Sequence, residues 1–135
     1  MNVGNKGGRD LYFTKDHEWI DFRGSVACTG ICGFKLLGFK QVQQIIFREP
    51  SGFKKKGEVI ASIRYDEYQI EAHMPIDGKI LEVNEELLSG NPGILLLYPE
   101  TSGWIAMINP ARPYERKDLL LPKEYRLNGK DKYAK

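Results

Sequence analysis

Apolar and polar residues alternate most regularly between Gly57 and Ile80 (GEVIASIRYDEYQIEAHMPIDGKI), and that alternation predicts a hairpin. Folded about Asp66-Glu67, the segment sets Tyr65 opposite Tyr68, Ile63 opposite Ile70, Ala61 opposite Ala72 and Val59 opposite Met74. Arg64 with Gln69, Ser62 with Glu71, and Ile60 with His73 fall on the other face. Side chains along a strand point to opposite faces in turn, so one face is apolar and the other mostly polar. A slip of one residue mixes the two, which makes this register the expected one. Asp-Glu is not the Asn-Gly pair that a tight primed turn prefers, so the turn type is left open. Pro75-Ile76-Asp77-Gly78 then stops the strand and leads into another, Lys79 to Val83.

The remaining pattern predicts further short strands. Leu11 to Thr14 reads as one, Lys15-Asp16-His17-Glu18 as a polar turn, and Trp19 to Phe22 as the next strand. Arg23-Gly24 turns the chain into Ser25 to Ile31. Gly33 to Gly38 is expected to form a short helical turn carrying Phe34 and Leu37 inward. Gln41 to Phe47 reads as a strand, and Ser51 to Gly57 as a loop whose Lys54-Lys55-Lys56 run is solvated. Asn84 is placed to cap a helical stretch, Glu85 to Leu88, with acids in its first turn and glycine at its end. Trp104 to Ile108 is expected to close the fold as a strand with Trp104, Ala106 and Ile108 on one face. An amphipathic helix around Pro113 to Leu119 and a packed segment, Leu120 to Tyr125, complete the pattern.

At 135 residues, 41% hydrophobic and 28% charged with 14 glycines, the chain suits a single strand-and-turn-rich domain. Residues 11–126 are read as that domain. Residues 1–10 and the lysine-rich 127–135 are read as disordered tails. A net charge of +2 gives no reason to expect nucleic acid or a membrane surface as partner. No apolar run is long enough to span a bilayer, and the first residues lack the apolar segment of a signal peptide, so the cytoplasm is the expected location.

Little enzymatic chemistry is written in the chain. If both lay on one extended strand, Cys28 and Cys32 would be roughly 13 Å apart, beyond disulfide reach, whereas a bent chain would bring them closer. They read as two small buried thiols. His17 and His73 show no ligand-type spacing, so no metal is expected, and His17 is expected to bond a neighbouring turn and help orient Trp19. Asp66 and Glu67 on an exposed turn would not be desolvated enough for acid–base work. No nucleophile–base set or phosphate-binding glycine loop stands out, so a stand-alone enzyme is disfavoured. Arg64, Tyr65, Asp66, Glu67 and Tyr68 admit two readings: a cross-strand tyrosine stack, or a protein-binding tip, since tyrosine and arginine make good interface anchors.

Two runs carry a resemblance: Phe13-Thr14-Lys15-Asp16-His17-Glu18-Trp19 with Val26-Ala27-Cys28-Thr29-Gly30-Ile31-Cys32, and Gly57 through Pro75-Ile76-Asp77-Gly78. Val83-Asn84-Glu85 and Pro99, Gly103 and Trp104 extend it. Together they resemble the glycine cleavage system H-protein family over about Leu11 to Tyr125. The resemblance implies a mainly β fold, a barrel-sandwich hybrid of two antiparallel sheets, similar to lipoyl and biotinyl domains, with short peripheral helices. It implies a carrier and not an enzyme: family members bear lipoic acid on a lysine at the hairpin tip and pass an aminomethyl group between partner enzymes.

Counting forward from Gly57 or back from Pro75, without gaps, puts that lysine position on Glu67. No lysine lies between Lys56 and Lys79, and both of those sit at the hairpin's base, roughly 35 Å from the tip at 3.3 Å per residue. The expectation is therefore an H-protein-like chain that is not lipoylated and binds no cofactor. It is expected to act as a non-catalytic binding or regulatory module beside glycine-cleavage or lipoate-handling enzymes. The alternative is a true aminomethyl carrier, with lipoate on an unexpected lysine.

Overall fold

The computed structural model describes residues 9–112 and 116–126. Among the described residues, nine strands make two antiparallel sheets. The larger takes β1 (Leu11–Phe13), β2 (Glu18–Arg23), β3 (Val26–Ile31), β9 (Ala106–Pro110), β8 (Gly78–Val83) and β5 (Gly52–Lys54), in that order across the sheet. The smaller sets β6 (Val59–Tyr65) between β4 (Gln44–Phe47) and β7 (Tyr68–His73). Short helical turns at Gly33–Leu36, Glu86–Gly90 and α1 (Ile94–Leu97) fill the connections. This is the mainly β arrangement of two antiparallel sheets that the resemblance implies, built from the short strands that the alternation predicts.

The main core lies between the sheets. Ile20, Phe22, Ala27 and Ile31 from β2 and β3 meet Ile63, Ala61 and Ala72 from the hairpin, with Ile80, Ala106 and Ile108 beside them. Fully burying a side chain of this size contributes about 1.5–3 kcal/mol, so the core, more than any turn, holds the sheets together. A second cluster of Phe13, Trp19, Cys28 and Cys32 occupies the opposite face of β1 to β3. Strand alternation produces both: Ile20 and Phe22 point to one side of β2, Trp19 to the other.

The second cluster is closed by the chain's last described segment. Leu120 bridges Phe13, and the Tyr125 ring stacks on Phe13 with centroids 4.4 Å apart. Arg116 lies over the Phe22 ring at 3.9 Å and donates to Asp10 Oδ2 at 3.0 Å. Arg9 sits over Trp19 and Asp10 N–H donates to buried Asp21. Arg9 and Asp10 are thus anchored, although the sequence reading assigned them to a tail; residues 1–8 and 127–135 lie outside the described residues.

The hairpin register holds from Ala61↔Ala72 to Tyr65↔Tyr68. Beyond it a bulge between Val59 and Ala61 places Val59 opposite His73 instead of Met74, and Ile60, expected on the polar face, joins the main core. In the turn after β3 it is Leu36 that is buried (6% exposed) while Leu37 is 67% exposed. The turn ends at Leu36, and Leu37 is its C-cap with an extended backbone (φ −59°, ψ 132°), so Leu37 leaves the face that a continued helical period would share with Phe34. Lys54 is not solvated: it lies in β5, 3% exposed, with its ammonium 3.3 Å from Glu49.

Two elements near the end also differ from expectation. Trp104 packs on the second cluster, away from Ala106 and Ile108, and the strand begins only at Ala106. Where a helix was expected up to Leu119, Lys117 and Asp118 form a turn; residues 113–115 lie outside the described residues. The helical turn runs Glu86–Gly90 with Glu85, not Asn84, at its N-cap; Asn84 lies one residue earlier, and its Oδ1 accepts from Glu86 N–H at 3.1 Å.

Candidate functional site

The hairpin summit is a two-residue turn, since Tyr65 and Tyr68 pair directly and leave only Asp66 and Glu67 between them. Asp66 has φ 53°, the left-handed conformation that a primed turn requires at its first central residue. Aspartate tolerates that conformation better than most residues do. Arg64, Asp66, Glu67 and Tyr68 are exposed there.

Gln43 holds this turn from the neighbouring loop. Its Oε1 accepts from Asp66 N–H at 2.7 Å, its Nε2 donates to Asp66 Oδ1 at 3.3 Å, and its own N–H donates to Arg64 O at 2.9 Å. The Tyr65 and Tyr68 rings stack nearly parallel, 6.2 Å apart, and Phe39 lies 6.0 and 6.1 Å from them. The tip is therefore both a tyrosine stack and an exposed surface, since Tyr68 remains 54% exposed. Its turn presents two carboxylates and no amine. Gln43 and Phe39 escaped the sequence reading, although the glutamine-rich start of their segment was visible.

A second group comes together from residues far apart in sequence. Glu18, buried at the start of β2, accepts on Oε2 from His73 N–H at 2.7 Å, faces His73 Nδ1 at 2.7 Å, and accepts from Lys35 Nζ at 2.9 Å. Asp16 Oδ2 faces Lys35 Nζ at 2.8 Å and His73 Nδ1 at 2.8 Å. Burial pushes the Glu18 carboxyl above its ordinary range, with Lys35 and His73 partly offsetting it. At Asp16 burial acts upward too, but the Lys35 hydrogen bond and charge and the His73 charge together hold it below its ordinary value. The group borders a cleft lined also by Lys15, Lys56, Met74 and Asp118. Glu18 was expected in a polar turn; nothing in local pattern couples it to a residue 55 positions away.

The other candidates are structural. His17 takes a left-handed backbone at φ 64°, its carbonyl accepts from Cys32 N–H, and its Nδ1 lies 2.9 Å from the Tyr125 hydroxyl. Cys28 and Cys32 are buried free thiols, pushed by burial up to about 11 and about 12, so little thiolate exists to react at neutral pH.

The glycine cleavage H-protein family model matches residues 11–132. The chain belongs to the glycine cleavage H-protein family. A glycine cleavage system H protein from Caulobacter vibrioides is 35% identical over 113 residues, covering 82% of this chain and 90% of that protein. A probable glycine cleavage system H protein from Aeropyrum pernix is 32% identical over 117 residues, covering 87% and 81%. A crystal structure of a glycine cleavage system H protein from Mycobacterium marinum superposes with a TM-score of 0.74 at 24% identity, covering 89% of this chain and 97% of that one. That likeness concerns the fold. The H-protein family consists of lipoyl carriers that are not themselves catalytic, so membership places the chain outside the enzymes. No helix among the described residues is long and apolar enough to cross a membrane.

Proposed function

We propose that this chain is an H-protein-like module that is not lipoylated and works by binding other proteins through its tip. The observation that carries the reading is the tip turn, where Asp66 and Glu67 stand between the paired Tyr65 and Tyr68. A lipoyl amide needs an amine nucleophile, and a carboxylate side chain cannot form it. The turn therefore does not fit the group that the family carries, while its rigidity and exposed Tyr68 and Arg64 fit a docking surface. Glycine-cleavage or lipoate-handling enzymes, in the cytoplasm, are the partners this reading names. Intact mass after co-expression with a lipoate ligase tests it: an unmodified chain is expected, and a gain of one lipoyl group on any lysine overturns it.

A second reading, an aminomethyl carrier lipoylated elsewhere, has one observation in its favour. Phe39 packs against both tip tyrosines, and its neighbour Lys40 is exposed. An acyl group mapped to Lys40, lost in Lys40→Arg, would select this reading over the first.

A further inference from the structure

We propose that Asp16, Glu18 and His73 form a three-ligand site for a divalent metal ion of the zinc class, and that Lys35 is a built-in ammonium that keeps it closed. The donor set, one imidazole nitrogen and two carboxylate oxygens, suits such an ion. The three candidate ligand atoms all lie within 4.8 Å of one another. His73 Nδ1 is 2.7 Å from Glu18 Oε2 and 2.8 Å from Asp16 Oδ2. Zinc bonds of about 2.0–2.1 Å in tetrahedral geometry space their ligand atoms about 3.3 Å apart. Opening the two His73 contacts by about half an ångström meets that spacing. Behind the ring, His73 Nε2 lies 3.7 Å from Glu71 Oε1, on the side from which a carboxylate orients a ligating histidine.

Lys35 holds the same oxygens. Its Nζ lies 2.8 Å from Asp16 Oδ2 and 2.9 Å from Glu18 Oε2, the two atoms that also face His73. The side chain is only 12% exposed, and it rises from the short turn Gly33–Leu36, so the ammonium is kept at the carboxylates. A metal ion and an ammonium compete for one pair of oxygens and repel each other at that distance. The tethered cation has the advantage of an intramolecular partner, whose effective concentration exceeds that of a free trace ion. The cleft is thus neutralised from within and shut to diffusible divalent cations. Lys15, Lys56 and Asp118 also line it, and Glu71 is the remaining acid beside His73.

Zinc titration of the full chain tests this by calorimetry, with cobalt(II) absorption reporting the ligand set. Lys35→Met keeps the length of the stem and removes its charge; it is expected to bind one zinc per chain about 100-fold more tightly than the unaltered chain. Adding His73→Ala is expected to abolish that gain. Should Lys35→Met fail to fold alone, zinc is expected to refold it, because an ion held only by the folded state stabilises that state. The proposal fails if the unaltered chain binds zinc as tightly as Lys35→Met. It fails equally if Lys35→Met neither binds zinc nor is refolded by it, or if binding survives the loss of His73.

Discussion

Glu18 Oε2 lies 2.7 Å from both the backbone nitrogen and the ring Nδ1 of His73. The two residues belong to different sheets: Glu18 opens β2, and His73 closes β7, an edge strand of the smaller sheet. An edge strand leaves N–H groups without a partner, and here a carboxylate takes one of them. Replacing Glu18 by alanine removes the acceptor and leaves Lys35 to Asp16 alone. Breaking a buried pair in this way costs about 3 kcal/mol, so Glu18→Ala is expected to move the urea midpoint well down.

The same cluster sets opposite pH responses. Asp16 is lowered, so the folded state holds its proton less tightly; its contribution is present above the ordinary carboxylate range and lost as pH falls below it. Glu18 is raised, so its contribution is fully present below the ordinary value of 4.5 and lost as pH rises through its folded value. Melting temperature against pH is expected to show this by difference. Relative to Asp16→Asn, the unaltered chain loses stability toward acid; relative to Glu18→Gln, it loses stability as pH climbs above 4.5.

Gly30 leaves room for Trp19 across β2 and β3. A Cβ at position 30 would lie 2.8 Å from three atoms of the indole. The ring has nowhere to withdraw: Trp19 is fully buried and its Nε1 donates to Pro99 O at 3.0 Å. Gly30→Ala is expected to cost about 1–3 kcal/mol by overpacking, visible in the unfolding midpoint and in a shifted tryptophan emission.

Gln43 is expected to govern the stiffness of the summit and little else. Gln43→Ala removes the acceptor for Asp66 N–H, at a cost of about 1 kcal/mol. Hydrogen exchange at the Asp66 amide should speed up, while amides in the middle of β6 and β7 keep their protection. Uniform acceleration along the whole hairpin would show that the clamp is not local.

Glu67→Lys supplies the amine that the turn lacks. Asp66 and Gln43 are unchanged by it, so the turn keeps its shape. Co-expressed with a lipoate ligase, this variant is expected to gain one lipoyl group where the unaltered chain gains none. An unmodified variant would mean that the tip differs from a carrier's in more than one side chain.

The sequence made the hairpin legible because Ala61 to Tyr65 and Tyr68 to Ala72 alternate cleanly, and the matching runs named the family. The bulge at Ile60 was not legible, since one extra residue changes facing without changing composition. Leu36 and Leu37 are chemically equivalent, so only the point where the turn ends decides which is buried. Lys54 stood among lysines that solvent takes, yet strand pairing with Gly78 carries it inside. The charged cluster was hidden for another reason: Asp16, Lys35 and His73 meet only once both sheets exist.

The strap formed by Leu120 and Tyr125 has a consequence for biosynthesis. His17 and Tyr125 are 108 positions apart, and domains emerge from the ribosome amino end first. Phe13 and Trp19 are made well before the Leu120–Tyr125 segment that covers them. The outer face of β1 and β2 therefore lacks this cover until the segment emerges, and a nascent chain stalled before Leu120 offers that face to chaperones or to aggregation.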